Sequence, residues 1–310
     1  MHRSMSVNRD VKAQLERAGI AITGESKERG FEWEKGELFV KVGKAGSAAD
    51  RPMLEYTAEG LRRLAAAAPP SIVVPTPWLV GETVDRGDTF AFIAMDRLAL
   101  TGSRADLQLL GSGLADLHLA PTPEDIGTAF GFVTDGYCGT VTQPNNTERR
   151  PFDWVEFWKE NRLGHQLREL HHGSSGSKAG PLSAQIQELG RQLATRLKDV
   201  CFSMLIVEDI RPALLHGKIW PRSYTGCGHG CAALLDPACY YGHYEADHGI
   251  NAMFGGTEAF TNSGYCSKLP REAGYERRAK LYELHHHLNH ENEFGGYASS
   301  CVKLMQEILK

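Results

Sequence analysis

Leu214-Leu215-His216-Gly217-Lys218-Ile219-Trp220, then Leu234-Leu235-Asp236-Pro237-Ala238, then Tyr241-Gly242-His243-Tyr244-Glu245-Ala246-Asp247 and Met253-Phe254-Gly255-Gly256 form the stretch on which the reading of this chain turns. Residues 213–215 and 232–235 are short apolar runs of strand type that bracket a glycine-rich turn. Two strands joined by a polar turn can set an acid or base from one strand beside a metal-binding carboxylate from the other. Asp236 directly follows an apolar run, so a carboxylate is held at a strand end. Magnesium sites commonly use one or two such carboxylates together with phosphate oxygens.

Working toward the N-terminus, residues 71–79 and 89–95 read as two strands with residues 81–87 turning between them. Residues 53–68 are alanine-rich with leucines at helical spacing, and Pro69-Pro70 stops that helix. Residues 31–34 and 38–42 flank a turn at Lys35-Gly36 in a hairpin pattern. Residues 8–18 carry Val11, Leu15 and Ala18 on one helical face, ended by Gly19. Toward the C-terminus the pattern is helical: Leu107, Leu110, Leu114, Leu117 and His118 share one face, and 154–170 and 186–200 follow. Residues 173–177 read as a surface loop, and the chain is helical again from about residue 246. The expectation is an α+β fold with a small β-rich lobe over residues 1–98 and a larger helical lobe over 99–310. Such an arrangement suits a protein that clamps a ligand between lobes.

The composition of the 310 residues, 42% hydrophobic and 23% charged, is that of an ordinary globular protein. A net charge of −4, with basic and acidic residues interspersed, gives no case for nucleic-acid or membrane binding. No run approaches the roughly 18 apolar residues of a membrane span, and residues 1–10 lack the apolar core of a signal peptide. Seven cysteines, an odd number in a long chain, argue against a disulfide framework, so a cytoplasmic setting is expected.

Lys41, at the end of Phe39-Val40-Lys41-Val42, is placed as a lysine that neutralises ATP phosphates would be, although a solvated strand lysine is the plainer alternative. The preceding segment, 24–30, is glycine-poor and does not match a glycine-rich phosphate loop.

The blocks His-Gly-x-x-Trp, Asp-Pro-Ala, Tyr-Gly-His-x-Glu-Ala-Asp and Phe-Gly-Gly, in this order, resemble the fructosamine (ketosamine) 3-kinase family. Two further blocks agree. One runs from Phe130-Gly131-Phe132 through Gln143-Pro144-Asn145, Asp153-Trp154 and Phe157 to Arg162-Leu163. The other runs from Leu281 through His285-His286-His287 and His290 to Phe294-Gly295. The histidine run lies inside a family block and is not a purification tag. The resemblance implies a protein-kinase-like fold akin to aminoglycoside and choline kinases. It also implies ATP and Mg2+ as cofactors, and phosphorylation of the sugar 3-hydroxyl on glycated amines or proteins. By the same resemblance, Lys41 contacts ATP phosphates and Met95, Asp96 and Leu98 form the adenine hinge. Asp236 holds metal, Trp220 and His290 line the substrate pocket, and Asp247 braces the catalytic loop.

The chain departs from the family pattern His-Gly-Asp-Leu-Trp-x-Gly-Asn. After His216, Lys218 replaces the aspartate that accepts the hydroxyl proton, and Ser223 replaces the asparagine that helps hold metal. A lysine with a pKa near 10.4 is protonated at neutral pH and accepts no proton. The helix glutamate expected to pair with Lys41 falls at Thr57, with Glu55 and Glu59 each two residues off that face. The catalytic candidates are therefore Lys218 and His216, and the metal candidates Asp236 and Ser223, with ATP and Mg2+ binding both expected to be weakened. Cys227-Gly228-His229-Gly230-Cys231, with Cys239 and His243 beyond, offers zinc-ligand spacing but no second cysteine pair, so a plain loop is the favoured reading. His118 reads as a core histidine. Three functions stay open: an active ketosamine kinase, a catalytically inactive pseudokinase that binds nucleotide or partner proteins, and a zinc-binding interaction module.

Overall fold

α1 (Met5–Arg17) sets Val7, Val11 and Leu15 four residues apart, and all three are buried against the first sheet. That sheet has five antiparallel strands in the order β1-β2-β3-β6-β5: β1 (Ile22–Ser26), β2 (Gly30–Trp33), β3 (Gly36–Val42), β5 (Pro77–Asp85) and β6 (Asp88–Asp96). In β2, Phe31 and Trp33 are buried while Glu32 between them is exposed, the alternation a half-covered sheet requires. Between β3 and β5 lie α2 (Asp50–Ala67) and the short β4 (Ile72–Val73). α2 packs Leu54, Ala58 and Leu61 on the sheet beneath Ala91 and Ile93. It sends Tyr56 and Leu64 into the larger core on its other side. It ends where Ala68 turns extended ahead of Pro69, as a residue before proline must. The computed structural model describes residues 5–26, 30–44, 46–101, 107–145, 153–171, 181–205, 210–227, 230–256 and 264–310.

The turn expected over residues 81–87 is much shorter. β5 continues through Gly81 to Asp85, and only Arg86 and Gly87, both with positive φ, make the hairpin turn. Gly81 sits inside the strand because an added Cβ would meet the Phe92 ring and Gln14 Oε1.

The rest of the chain is mainly helical. α3 (Leu107–Leu119) is followed by a small hairpin, β7 (Gly136–Cys138) and β8 (Val141–Gln143). α4 (Trp154–Phe157) runs through a π-helical stretch (Trp158–Leu163) into α5 (Gly164–His171). Its buried Arg162 donates to the Pro144 carbonyl and to Asn145 Oδ1 and lies 4.0 Å above the Tyr240 ring, which explains the structural part played by these blocks. α6 (Pro181–Leu205) precedes four short strands, β9 (Ala213–Leu215), β10 (Tyr224–Gly226), β11 (Ala232–Leu234) and β12 (Tyr240–Gly242). A 3-10 helix (Tyr244–His248) and α7 (Gly249–Met253) follow, then α8 (Tyr275–Phe294) and α9 (Ala298–Ile308). The two strand-like pieces read on either side of the glycine-rich turn do not pair with each other. β9 pairs with β12, while β11 pairs with the unforeseen β10 and, in parallel, with β4. The loop expected over 173–177 lies outside the described residues. No described helix is long and apolar enough to cross a membrane.

The β10–β11 register sets residues 227 and 231 opposite each other, and the Cys227 amide donates to the Cys231 carbonyl. These two cysteines are joined in a disulfide, a local crosslink the sequence reading did not expect; Cys138, Cys201, Cys239, Cys266 and Cys301 are free. With both sulfurs bonded, the zinc spacing loses its thiolates. His229 lies outside the described residues, and among the described residues no group of three or more potential ligands is placed to hold a metal.

Candidate active site

Pairing of Leu215 with Tyr240 across β9 and β12 sets the loop that leaves β9 alongside the loop that enters β12. His216–Lys218 and Asp236–Ala238 thus run side by side, joined by the Ala238 amide donating to the His216 carbonyl at 2.9 Å. Gly217 stands at φ 75°, and a Cβ there would lie 2.0 Å from the Ala238 carbonyl oxygen, so only glycine fits. Asp236 itself adopts φ 52°, a conformation rare for a residue with a side chain and frequent at functional sites.

Asp247, on the 3-10 helix, holds this pair of loops from below. Its Oδ2 accepts from the His216 amide at 2.8 Å and its Oδ1 from the Gly217 amide at 2.7 Å. His118 Nε2 donates to Oδ2 at 3.2 Å, and His118 Nδ1 lies 2.6 Å from the Tyr265 hydroxyl, so the histidine read as a core residue is a core residue that orients Asp247. Burial alone would raise the Asp247 carboxyl, but the His118 bond and charge and the His216 amide hold it below its ordinary value. His216 Nδ1 accepts from the Lys218 amide, so Nε2 carries the proton and donates to the Leu235 carbonyl at 3.0 Å. Burial pushes this imidazole down to about 4, and both ring nitrogens serve the loop.

Lys41 projects from β3 and its Nζ donates to Asp236 Oδ1 at 3.0 Å. Lys218 Nζ donates to the other oxygen, Oδ2, at 2.6 Å. One carboxylate therefore joins two ammonium groups. Burial would raise the Asp236 carboxyl, yet the charges of Lys218 and Lys41 hold it well below the carboxylate range. Burial would likewise lower Lys218, but Asp236 outweighs it and the ammonium is held above its ordinary value. Thr57, at the position expected for a helix glutamate, bonds its hydroxyl to the Met53 carbonyl; Glu59 pairs with Arg63 and Glu55 with Arg51.

Above this triad opens a cleft of about 270 Å³ between sheet and helical region, lined by Phe39 and Lys41 of β3, Thr57 and Leu61 of α2, the Met95–Leu98 segment and Leu235-Asp236. Phe39, Leu61, Pro75, Met95, Leu98 and Leu100 make its walls mostly apolar, and Lys41, Asp96, Arg97 and Asp236 are the charged residues on its lining. The Asp96 side chain is turned away, accepting from Trp78 Nε1 and the Thr76 amide, so only its backbone faces the cleft.

Trp220, Phe254, His290, Phe294 and Tyr297 form a ring-to-ring chain with centroids 5.1–5.8 Å apart, and the Lys218 charge reaches His290. His290 Nδ1 bonds the His286 carbonyl, which leaves Nε2 with the lone pair, and burial lowers its pKa.

A description of fructosamine kinases as a family matches this sequence over residues 4–310. The chain belongs to the fructosamine kinase family. It is 35% identical to the chloroplastic protein-ribulosamine 3-kinase of Arabidopsis thaliana over 90% of this chain and 78% of that protein. It is 30% identical to the ketosamine-3-kinase of Mus musculus over 97% and 99% of the two chains. Among solved structures, a candidate fructosamine-3-kinase from Haemophilus somnus 129PT superposes with a TM-score of 0.74 at 22% identity over 98% of both chains. A thermostable mutant of an aminoglycoside phosphotransferase, solved with AMP-PNP and hygromycin B, gives 0.57 at 13% identity over 96% and 97%. The fold is that of the kinase-like phosphotransferases, with a β-sheet N-lobe and a helical C-terminal region.

The two residues expected to hold metal are otherwise engaged. Both oxygens of Asp236 are engaged by ammonium groups. The Ser223 hydroxyl faces inward: it accepts from the Trp220 amide and donates to the Lys218 and Trp220 carbonyls. This donor set does not make a divalent-cation site. Two contributors escaped the sequence reading. Glu293 accepts from the Thr140 amide and its charge reaches Lys218. Glu245, inside a quoted block, makes a buried two-pronged ion pair with Arg278 at 2.6 and 2.7 Å that ties the 3-10 helix to α8. The block marked Glu245, but nothing local marks a partner 33 residues away.

Proposed function

We propose that this chain is a ketosamine kinase-type protein with a smaller lobe over residues 1–98 and a larger one over 99–310. It takes ATP in the cleft and a ribulosamine or fructosamine, free or on a protein, beside the Trp220–His290 aromatic cluster, and it transfers phosphate to the sugar 3-hydroxyl slowly or not at all. The names of the plant and mouse relatives support the substrate class. The apolar cleft ending at Lys41 supports nucleotide, with Met95, Asp96 and Leu98 at the adenine. Trp220 and His290 support a sugar ring, which stacks on aromatic faces. The cytosol is the proposed setting.

The observation that carries the impairment is the ion pair of Lys218 Nζ with Asp236 Oδ2 at 2.6 Å. The group at the base position is an ammonium held protonated by its partner, so it has no lone pair for the hydroxyl proton. His216 offers no substitute, because its two nitrogens bond the loop. The same observation favours a second reading, a catalytically inactive binder of nucleotide or partner proteins. An assay of ADP release on a fructosyl-amine, run on the unmodified chain and on the pair Lys218→Asp with Ser223→Asn, tests the proposal. Restoring the pair raises turnover by up to about 10²–10⁴-fold, the contribution of a general base. No gain in a folded double variant would show that the loop is not what limits transfer.

A further inference from the structure

We infer that Lys218 stands in for a divalent cation, making with Lys41 and Asp236 a seat that takes the nucleotide's phosphates without metal. The inference rests on the reading that the cleft takes nucleotide. The geometry is the argument. Lys41 and Lys218 approach one carboxylate from its two ends, at 3.0 and 2.6 Å, so the triad carries a net single positive charge. A metal ion on Asp236 would compete with the two ammonium groups for the oxygens of one carboxylate. It would also sit beside two cations at contact range, where repulsion is strong. The second ligand such an ion would need is missing as well, since Ser223 turns its hydroxyl into the loop.

An ammonium has three donors. Each lysine uses one on Asp236, which leaves two apiece among the bonds of the described residues. These N–H groups are what the seat offers phosphate oxygens, with Asp236 holding the two ammonium groups side by side. The Lys218 side chain is only 15% exposed, against 44% for Lys41 and 46% for Asp236. One cation is therefore fixed by packing, and the other two members face the cleft and can adjust to the ligand.

Calorimetric titration of the full chain with ATP, in EDTA and then in excess Mg2+, tests this without reading turnover. ATP binds in EDTA, and Mg2+ tightens it less than about tenfold, or weakens it by masking the phosphates. Lys218→Met loses at least about tenfold of the metal-free affinity, whereas Lys218→Arg keeps the charge and most of the binding. Binding that appears only with Mg2+, or tightens tenfold or more on its addition, overturns the inference and leaves the nucleotide reading standing. Unchanged metal-free binding in Lys218→Met also overturns it. Absence of ATP binding in both conditions overturns the inference and the nucleotide reading together.

Discussion

Replacing Asp247 with alanine removes the group on which the backbone of the His216-Gly217 loop rests. In the structure its two oxygens accept from the amides of His216 and Gly217, and from His118. His216 is fully buried, so no water replaces the lost acceptor. A buried donor left unpaired costs about 1–3 kcal/mol, so the two backbone amides alone cost about 2–6 kcal/mol. That is a large fraction of the roughly 5–15 kcal/mol that holds a domain folded. Asp247→Asn keeps one acceptor oxygen but presents an amide N–H to the second backbone donor, so it loses about half as much. Urea unfolding followed by far-ultraviolet circular dichroism reads both values, with stability falling in the order unmodified, asparagine, alanine. If Asp247→Ala unfolds within about 1 kcal/mol of the unmodified chain, Asp247 does not hold the loop as described.

Two further outcomes follow from the packing. Five buried histidines, His216, His243, His248, His285 and His286, are all held below their ordinary pKa by burial, His216 and His248 to about 4 and His243 and His286 to about 3. The stability they allow is complete above the unfolded value of about 6.5 and is lost as pH falls, when only the unfolded chain takes up protons. The melting temperature is therefore flat from about pH 7 to 8 and falls as pH drops below about 6.5; a flat profile down to pH 5 would contradict the burial of these rings. Gly217→Ala forces a Cβ to 2.0 Å from the Ala238 carbonyl. It costs more than about 2 kcal/mol, whereas Gly19→Ala, equally left-handed but with nothing within 4 Å, costs about 1–2 kcal/mol for the backbone alone. Melts of the two variants that match each other would remove the steric argument.

Much of the N-terminal sheet was legible because its signals are local. The alternation in β2, the Lys35-Gly36 turn and the proline stop after α2 each act within a few residues. Gly81 misled because glycine signals both turns and close approach, and here the Phe92 ring, eleven residues on, decided between them. β10 was hidden because a three-residue strand has no periodicity to read. In the site, the meeting of Lys41, Lys218 and Asp236 was legible only through the ordered family blocks, since 195 residues separate Lys41 from its partner. The inward turn of Ser223 was not legible. Its replacement of asparagine was visible, but its hydroxyl's choice of loop carbonyls over the cleft depends on the three-dimensional path of residues 218–223.

The central claim is that an ammonium tied to Asp236 has replaced the catalytic base. Its most direct test is the steady-state turnover of the unmodified chain on a fructosyl-amine with saturating ATP and Mg2+. The account predicts a rate at least about a hundredfold below the 1–100 per second typical of kinases. Turnover within that range would contradict it, and would mean that another group, with His290 Nε2 the first to examine, takes the hydroxyl proton.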